Sequence, residues 1–558
     1  MLEDFAKPDE AVPDPRSAHP VVISAKSQQS LKKNVEQLIS YLTAHPHTSL
    51  ADVSYTTTAR RIQHNLRVAV SGTTLKQVNE RLLFSLNKLS SSPSPKPDKI
   101  AFAFTGQGAY YLGLGKDLFE SSKRFRLEIE SYDSLVRSHG GPSILPLFGV
   151  ESETAQDSSP VVIQTFLVCI QIALYSLWRS WGVTPDVVVG HSLGEYAALY
   201  AAGVLSKSDA IFLVIRRAQL LEVKCTAGTH SMLAIKSSVS SVKAIVAEKN
   251  FDLEVACING PSETVLSGKS KEVDSAQREL TQRNYKCTRL EVPFAFHSSQ
   301  VDPILGLFEA QGRSIKFNAP NIPIISPLLG DVLGTDDVVT PKYLCRHARE
   351  TVNFEAALNV ALKRGLIGDA SGWIEIGPHP ICLGMINAIT KPALSVPSLR
   401  RKENAWETLA NSAQELYARG VELDWASYHQ EFAPSLNLLE LPTYAFEEKN
   451  YWLEYKNNWC LTKGQTNEAE QDTFSPKFST TTLQRVVSEE FSDDKASVVF
   501  ESDFKEPLLH AAVLGHLVND SGLCPSVGRR DDCRCEATNR MCTVNICRYG
   551  NDCCPVYP

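Results

Sequence analysis

Short apolar runs alternate with longer amphipathic stretches between residues 98 and 395. The runs at 100–104 and 187–189 predict buried strands, because they are apolar throughout and end in glycine-containing turns. A stretch with helical periodicity follows each turn. This alternation is typical of βαβ units, so we expect an α/β domain over 98–395, built on a parallel sheet that helices cover.

The pattern changes between residues 231 and 292. Four strand-like runs and two helical stretches follow one another there, with the runs at 232–235, 253–258, 263–266 and 286–292 and the helices at 240–249 and 271–283. The resulting βαββαβ order is that of a split ferredoxin-like unit. We therefore expect a ferredoxin-like subdomain at 231–292, inserted into the larger sheet domain.

Segments rich in proline, serine or threonine mark the limits of further units. Two strand-like runs and two helical stretches predict a small α+β linker domain at 21–97, which ends in a Ser/Pro-rich break. A helical stretch and an aromatic stretch indicate a return linker over 396–461 that packs on what precedes it. Residues 1–20 and 462–482 are polar, and we expect linkers there.

Composition favours a folded enzyme. The chain has 558 residues, 43% of them hydrophobic, and a net charge of −7 without a basic block, so nucleic acid is not an expected partner. The acidic N-terminus does not resemble a secretory signal, which predicts a cytoplasmic location. Residues 161–181 are long and apolar, but Gln164 and Gln171 interrupt them, so we expect a buried core helix and no membrane.

Cysteine is distributed unevenly along the chain. Eight of the 14 cysteines lie singly in the first 532 residues, as reduced cytosolic thiols do, whereas six crowd into the last 26 residues. These six lack paired Cys-x-x-Cys spacing and a neighbouring histidine. The sequence therefore predicts no metal site in the tail.

The strongest chemical signal is Gly-His-Ser-Leu-Gly at 190–194, between a β-branched strand and an alanine-rich helix. The two glycines permit a sharp strand-to-helix turn that exposes the Ser192 hydroxyl near a helix N-terminus, as in a nucleophile elbow. A chance match in a helix cap is the alternative. Serine needs a base within reach, and the best candidate is His297 in Pro-Phe-Ala-Phe-His-Ser at 293–298. The residues alone leave open whether that histidine is catalytic or a core or surface residue.

Four ordered motifs resemble the malonyl-CoA:acyl carrier protein transacylase family over about residues 98–395. They are Gly-Gln-Gly at 106–108, Gly-His-Ser-Leu-Gly-Glu at 190–195, Phe-Ala-Phe-His-Ser at 294–298 and Ile-Glu-Ile-Gly-Pro at 374–378. Residues 20–90 resemble the linker between ketosynthase and acyltransferase domains, and 483–526 resemble the start of a product-template domain. The combination is similar to fungal non-reducing type I polyketide synthases, which implies that residues 1–20 are a linker or the end of a preceding ketosynthase.

The resemblance implies roles for individual residues. Ser192 is expected to take the malonyl group and His297 to act as general base. The backbone N–H groups of Gln107 and Leu193 are expected to form the oxyanion hole. Arg217 matches the arginine that grips the free carboxylate of malonyl, because its planar fork can bind both oxygens.

Further positions follow from the same resemblance. Gln164 matches a pocket glutamine and Asn259 a polar residue of the substrate channel, although both could equally be satisfied core amides. Phe296 is bulky, as in malonyl-selective relatives, whereas methylmalonyl-selective ones carry serine. A backbone carbonyl near 347–354 is expected to orient the catalytic histidine, so no triad carboxylate is required. Arg216 is expected to face solvent.

The implied activity is transfer of malonyl from malonyl-CoA to the phosphopantetheine thiol of an acyl carrier protein, through a malonyl-serine on a hydrolase-like acyltransferase core. The resemblance implies no bound cofactor or metal. The implied partners are the acyl carrier protein, a ketosynthase and other synthase domains. Two alternatives stay open: an α/β-hydrolase, which needs an acidic residue between the serine and the histidine, and a non-enzymatic fragment that docks on synthase domains.

His516 matches the motif that carries the catalytic histidine of product-template domains. Such domains need an acid from a second half, which is absent. After Ser526 the composition turns to arginine and cysteine without apolar periodicity, as in an aberrant Cys-rich tail over 527–558. We therefore expect residues 483–558, including a truncated product-template start at 483–526, to be poorly ordered and His516 to be inactive.

Overall fold

The apolar pattern is realised as alternating strands and helices in the computed structural model of the chain. The structure describes residues 13–89, 92, 94–149, 159–448, 484–491, 496–501, 507–514, 517–518 and 521–522. The chain divides into two units, residues 1–449 and 450–558.

The elements of the first unit follow one another as sheet and helix along most of its length. Its strands are β1 His19–Ala25, β2 Leu66–Gly72, β3 Ile100–Phe104, β4 Val187–Gly190, β5 His230–Ile235, β6 Leu253–Gly260, β7 Glu263–Lys269, β8 Cys287–Arg289, β9 Ile324–Ser326, β10 Asp331–Leu333, β11 Val352–Asn353, β12 Gly372–Ile376 and β13 Leu394–Pro397. Its α-helices are α1 Gln28–Ala44, α2 Leu50–Ala59, α3 Leu75–Leu86, α4 Lys116–Ser121, α5 Lys123–Ser138, α6 Pro160–Ser180, α7 Gly194–Ala201, α8 Lys207–Lys224, α9 Val239–Glu248, α10 Ser270–Gln282, α11 Leu305–Gly312, α12 Pro341–Arg349, α13 Phe354–Lys363, α14 Cys382–Ile389, α15 Ala405–Ala418 and α16 Trp425–His429.

A six-stranded sheet in the order β10-β9-β4-β3-β12-β13 forms the centre of the first unit. All of its neighbours pair in parallel except β10 and β9. The central strand β3 places Phe102 opposite Val188 on one side and Ile374 on the other. The predicted α/β core with a parallel sheet is therefore confirmed, and its central strands lead into the motifs at 106–108 and 190–195.

Helix α6 is the long apolar stretch that invited comparison with a membrane span. Among the described residues it is the helix long and apolar enough to qualify, and most of it is buried inside the protein. It packs against α5, α7 and α8, and Gln171 is fully buried within this packing. The predicted core helix is confirmed.

Residues 230–289 form a second sheet with the element order βαββαβ. The strand order is β11-β6-β7-β5-β8, and the pairs among β5 to β8 are antiparallel. The added strand β11 comes from the segment after α12 and pairs in parallel with β6. Through β11, the second sheet is tied to the part of the chain that follows α12.

A small α+β arrangement lies at the start of the first unit. Strands β1 and β2 pair antiparallel, and α15 packs on both of them. The chain then runs back along this arrangement, since the amide of Asn437 donates to Asp52 Oδ1 over 2.6 Å and that of Ala445 to Asn34 Oδ1 over 2.6 Å. The return segment thus packs on what precedes it.

The second unit contains short described elements. Strands β14 Arg485–Phe491 and β15 Ala496–Glu501 form an antiparallel pair, followed by helix α17 Pro507–Leu514 and the short pair β16 Leu517–Val518 and β17 Ser521–Gly522. The structure gives these segments strand and helix conformations, and the expected poor order of 483–558 stays a prediction. His516 and the tail 527–558 lie outside the described residues, as does the linker 462–482.

Candidate active site

The turn between β4 and α7 is held by contacts that only glycine permits. A Cβ on Gly190 would lie 2.3 Å from Glu195 Cα, and one on Gly194 would lie 2.2 Å from the backbone oxygen of Phe104. Ser192 between them has a φ of +50°, in the left-handed region that non-glycine residues rarely adopt. Such local strain is stored where the surroundings fix it, as at a nucleophile elbow.

Ser192 and His297 meet although 105 residues separate them. The Ser192 hydroxyl lies 2.7 Å from His297 Nε2, and His297 Nδ1 lies 3.0 Å from the backbone oxygen of Glu350. Because a carbonyl only accepts, Nδ1 of the neutral ring carries the proton and Nε2 is free to accept from the serine. This tautomer is the one that a general base requires, and the carbonyl lies within the predicted stretch 347–354.

Burial keeps this base neutral. His297 is buried, and desolvation is the largest cause that lowers its pKa well below the usual value, followed by the neighbouring His347 and Arg217. At neutral pH the ring therefore carries no charge and can take the serine proton. Ser192 is 8% exposed, so the pair is largely shielded from water.

Arg217 lies on α8 with 1% of its surface exposed. No acceptor among the described residues bonds its Nε, Nη1 or Nη2. Its Cζ lies 5.3 Å from the Phe296 ring centre and 6.0 Å from that of Tyr196. Burial lowers its pKa, but a guanidinium stays charged in proteins. The site thus holds a desolvated cation whose five donors face aromatic rings.

The neighbouring Arg216 has a different environment. It is half-buried, donates from Nη1 to Gln219 Oε1 over 2.9 Å and lies over the Phe212 ring. Both of its contacts are on its own helix, one turn away. The two arginines are therefore distinct, and only Arg217 turns into the core beside Phe296.

The loop after β3 lies against the elbow. A Cβ on Gly106 would lie 3.1 Å from both Nδ1 and the backbone oxygen of His191, so the two backbones are close neighbours. His191 N also donates to Phe104 O over 2.9 Å. Gln107 follows Gly106 in this loop, and Leu193 is the N-cap of α7. The two amides predicted for the oxyanion hole are thus carried by adjoining segments.

Thr105 fixes the start of that loop from two sides. Its hydroxyl donates to Glu375 Oε1 over 2.8 Å, and its carbonyl accepts from Gln171 Nε2 over 2.5 Å. Glu375 also accepts the amides of residues 381, 382 and 383 at the start of α14. The Ile-Glu-Ile-Gly-Pro motif therefore anchors the Gly-Gln-Gly loop. The sequence resemblance marked this motif without assigning its carboxylate a role.

The two predicted amide side chains differ. Gln164 is buried, and its Oε1 has no hydrogen-bond partner among the described residues. Asn259 is also buried, but its Oδ1 accepts from His191 Nε2 over 2.8 Å and its Nδ2 donates to Glu263 over 3.2 Å. Asn259 thus behaves as a satisfied amide that ties the βαββαβ unit to the elbow. Its role in the substrate channel stays a prediction, as does that of Gln164.

A cavity of about 980 Å³ reaches His297 from the side of the βαββαβ unit. It is lined by α9, by the start of β6 and by residues 349–353, which connect α12 to β11. Of the proposed site residues, only His297 is among those that line the cavity. In the described part of the chain, no group of three or more histidines, cysteines and acids could hold a metal ion.

Sequence reasoning missed three residues behind the elbow. Glu195 on α7 is 1% exposed, and Tyr343 of α12 donates to its Oε1. His347, one turn further along α12, places Nε2 3.3 Å from Glu195 Oε2. The four-residue spacing of Tyr343 and His347 on one helix face was the available signal, but nothing in the sequence identified the carboxyl that they share.

Comparisons with known proteins identify the family of the chain. A family model described as the acyl transferase domain matches residues 101–422, and one described as CurL-like, PKS C-terminal matches 19–82. The chain is 47% identical over 521 residues to the non-reducing polyketide synthase Preu8 of Preussia isomera, covering 92% of this chain and 24% of that protein. It is 46% identical over 530 residues to the non-reducing polyketide synthase terA of Aspergillus terreus, covering 94% and 25% respectively. The chain thus spans about a quarter of the length of these curated relatives.

A solved structure is similar over most of its length. The acyl transferase domain of SpnD, in complex with 2-(pent-4-yn-1-yl)malonyl, is 25% identical with a TM-score of 0.63. The similarity covers 73% of this chain and 97% of that domain.

Proposed function

Because this chain belongs to the acyl transferase domain family, we propose that its site transfers malonyl from malonyl-CoA to the phosphopantetheine thiol of an acyl carrier protein. The chain is an acyltransferase related to fungal non-reducing polyketide synthases, as the sequence resemblance predicted. Malonyl as the group transferred, the malonyl-serine intermediate and the residue roles are the proposal.

The observation that carries the proposal is the guanidinium of Arg217, which has no hydrogen-bond acceptor among the described residues. Burying a cation without an acceptor is costly, because its lost hydration is not replaced. The three nitrogens without partners can bind both oxygens of a carboxylate, and the malonyl group carries one at the end remote from the thioester. An acetyl group has no such carboxylate. Arg217 therefore favours a dicarboxylic acyl group.

Phe296 limits the size of the acyl group that the site can bind. Its ring lies against the Arg217 guanidinium and precedes His297 directly, so it borders the space between the carboxylate and the reacting carbonyl. A flat ring there leaves little room for a branch at the α-carbon. The SpnD domain accommodates a substituted malonyl group, which supports a malonyl-type ligand in this family. We assign unbranched malonyl to this chain.

The first half-reaction follows from the Ser192–His297 geometry. His297 Nε2 takes the hydroxyl proton while Ser192 Oγ bonds to the thioester carbon. The negative charge on the former carbonyl oxygen is met by the amides of Gln107 and Leu193. Collapse breaks the carbon–sulfur bond, and the CoA sulfur leaves with the proton from His297. Malonyl-serine and free CoA remain.

The second half-reaction reverses these roles. The phosphopantetheine thiol gives its proton to His297 and attacks the malonyl-serine carbon, and Ser192 Oγ then leaves with that proton. Acyl carrier protein, ketosynthase and other synthase domains are the proposed partners, in the cytoplasm. We interpret the βαββαβ unit as ferredoxin-like, residues 21–97 as the linker domain after a ketosynthase, and 483–526 as a product-template start.

The orientation of His297 argues against the hydrolase alternative. In a hydrolase triad a carboxylate accepts from Nδ1 of the histidine. Here the backbone oxygen of Glu350 takes that place. The buried cation of Arg217 also has no role in releasing simple acyl groups to water. Both observations favour acyl transfer from a charged donor.

The test is covalent loading of the full chain with radiolabelled malonyl-CoA. We expect a burst approaching one label per chain that persists in water and is discharged by a phosphopantetheinylated carrier protein. Ser192→Ala should remove the label, and Ser298→Ala, at a neighbouring buried serine, should retain it. A label that persists in Ser192→Ala, or one that is hydrolysed as fast as it forms, would refute the proposal.

A further inference from the structure

The buried carboxyl of Glu195 lies on the helix that follows the nucleophile, and it contacts the helix that precedes the base-orienting carbonyl. Helix α7 begins two residues after Ser192, and α12 ends at Arg349, directly before Glu350, whose carbonyl orients His297. Glu195 on α7 contacts both Tyr343 and His347 on α12. The carboxyl therefore lies at the point where the nucleophile segment and the base-orienting segment meet.

The contacts of this group continue on both sides. Ser326 of β9 lies 2.7 Å from the Tyr343 hydroxyl, which itself donates to Glu195. On the other side the His347 ring lies 6.0 Å from the His297 ring, centre to centre. Ser326, Tyr343 and Glu195 are thus linked by hydrogen bonds, and the ring of His347 lies beside both Glu195 and His297.

The positions of Tyr343 and His347 on α12 couple their contacts with Glu195 to the carbonyl of Glu350. Pro341 and the Thr340 cap start the helix, and the Glu350 amide donates to Arg346 O over 2.7 Å where it ends. The helix is short and begins and ends at defined residues, so fixing Tyr343 and His347 also fixes the carbonyl of Glu350. A shift of α12 relative to α7 changes the Ser192–His297 separation directly.

We propose that Glu195 is a positioning residue, which holds α12 against α7 as a neutral carboxyl group and so sets the distance between Ser192 and His297. Oε1 accepts from the Tyr343 hydroxyl, and Oε2 lies 3.3 Å from Nε2 of His347. The inference rests on the proposed function. It adds a residue that touches neither the acyl group nor the reacting atoms.

The protonation state agrees with this geometry. Burial raises the pKa of Glu195 to about 8, and burial lowers that of His347 to about 3. At pH 7 a protonated carboxyl therefore faces a neutral imidazole. Above pH 8 the carboxyl ionises, and a buried carboxylate then faces the neutral ring of His347.

Other ionisable groups near this pair keep their protonation state between pH 7 and 9. The cysteine and tyrosines stay protonated, the histidines stay neutral and the arginine stays charged; they are Cys345, Tyr343, Tyr196, His297, His191 and Arg217. Glu375, which anchors the Gly-Gln-Gly loop, has a pKa raised to about 7 by burial, so a wild-type profile alone does not assign an alkaline change to Glu195 and the comparison with Glu195→Gln is required.

The experiment compares wild type, Glu195→Gln and Glu195→Ala as full chains, with single-turnover loading from malonyl-CoA measured between pH 6.5 and 9.5. Glutamine keeps one hydrogen-bond donor and one acceptor, as the neutral carboxyl does. We therefore expect the kcat of Glu195→Gln to lie within about threefold of wild type at pH 7, because a loss of about 10²-fold requires misplacement by about 1 Å. Alanine should lower kcat by roughly 10-fold or more with KM little changed. Tyr343→Phe removes the hydrogen bond to Glu195 Oε1, and its kcat should lie between those of the two Glu195 variants.

The pH profile separates positioning from a purely structural role. Wild type should lose kcat above about pH 8, whereas Glu195→Gln, which cannot ionise, should stay level there. A wild-type profile that is level to pH 9.5, or the same alkaline decline in Glu195→Gln, would overturn the proposal even if Glu195→Ala does not fold. Failure of the proposed function would show differently, as absence of malonyl loading by wild type at every pH.

Discussion

Ser192 lies on one continuous segment, β4 through α7, that packs against β3, whereas His297 is oriented by a segment that is distant in the chain. The serine turn depends on close backbone approach at Gly190 and Gly194. The histidine depends on the carbonyl of Glu350, 53 residues away, and has a φ of +57° of its own. The nucleophile side is therefore local and rigid, and the base side is assembled by tertiary packing.

This difference has a thermodynamic consequence. A side chain added in the serine turn would clash with backbone atoms, which cannot move aside as a flexible side chain can. Such a substitution should therefore lower the stability of the whole sheet. A defect on the base side changes orientation or charge at a buried ring and leaves the sheet intact. Substitutions on the two sides should separate effects on stability from effects on rate.

The largest effect is expected from Gly194→Ala. The new Cβ would lie 2.2 Å from Phe104 O, so β3 and α7 must separate. We expect destabilisation beyond the ~1–3 kcal/mol typical of overpacking, together with loss of loading. Gly384→Ala is the matched control, because nothing lies within 4 Å of its added Cβ. Equal unfolding free energies for the two variants in denaturant titrations would show that the turn is not tightly packed.

His297→Ala should act on rate alone. Removing the base should slow malonyl loading by about 10²-fold or more, since general-base assistance is lost. The Ser192 turn does not depend on that ring, so the thermal midpoint should move far less than in Gly194→Ala. Single-turnover labelling and calorimetry on the same preparation measure both. A midpoint that falls as far as in Gly194→Ala would show that the base side also supports the fold.

The decline of the loading rate at low pH should reflect the burial of His297. Because desolvation holds the pKa of His297 well below its usual value, the ring stays unprotonated as pH falls through ~6.5, where a free histidine would be half charged. We expect kcat/KM for loading to hold at pH 6.5 and to fall only at lower pH. A midpoint at or above 6.5 would contradict the described environment of the ring.

The smallest expected effect concerns the selectivity between malonyl and methylmalonyl that Phe296 imposes. Phe296→Ser removes the ring that lies against Arg217, so methylmalonyl-CoA should gain relative to malonyl-CoA by a factor of about 10, the scale of one methyl group in an apolar pocket. Competition between the two thioesters measures the ratio. Phe294→Ser, two residues earlier, is the control and should leave the ratio unchanged. No gain for Phe296→Ser would remove this ring from the selectivity argument.

The same difference explains how far the sequence could predict the site. The elbow was predictable because its glycines, its strand and its helix are contiguous, and the α/β sheet because its apolar runs are short and regular. His297 needed the family resemblance, since a lone histidine among aromatic residues carries no local signal. Glu195 and His347 acquire meaning only when α7 and α12 pack together. The pairing of segments 485–491 and 496–501 was also not predicted, because pairing between strands is not visible in either run alone.

Arg217 lies where the two sides meet, and it offers the most direct test of malonyl transfer. Arg217→Ala should lower kcat/KM for malonyl-CoA by roughly 10- to 150-fold, corresponding to the ~1.5–3 kcal/mol of hydrogen bonds to a charged group, and should change that for acetyl-CoA little. Arg216→Ala, at the half-buried neighbour, should preserve both values. The decisive quantity is the malonyl-to-acetyl ratio of kcat/KM. The ratio should collapse in Arg217→Ala alone, and an equal loss for both substrates would contradict carboxylate recognition by this residue.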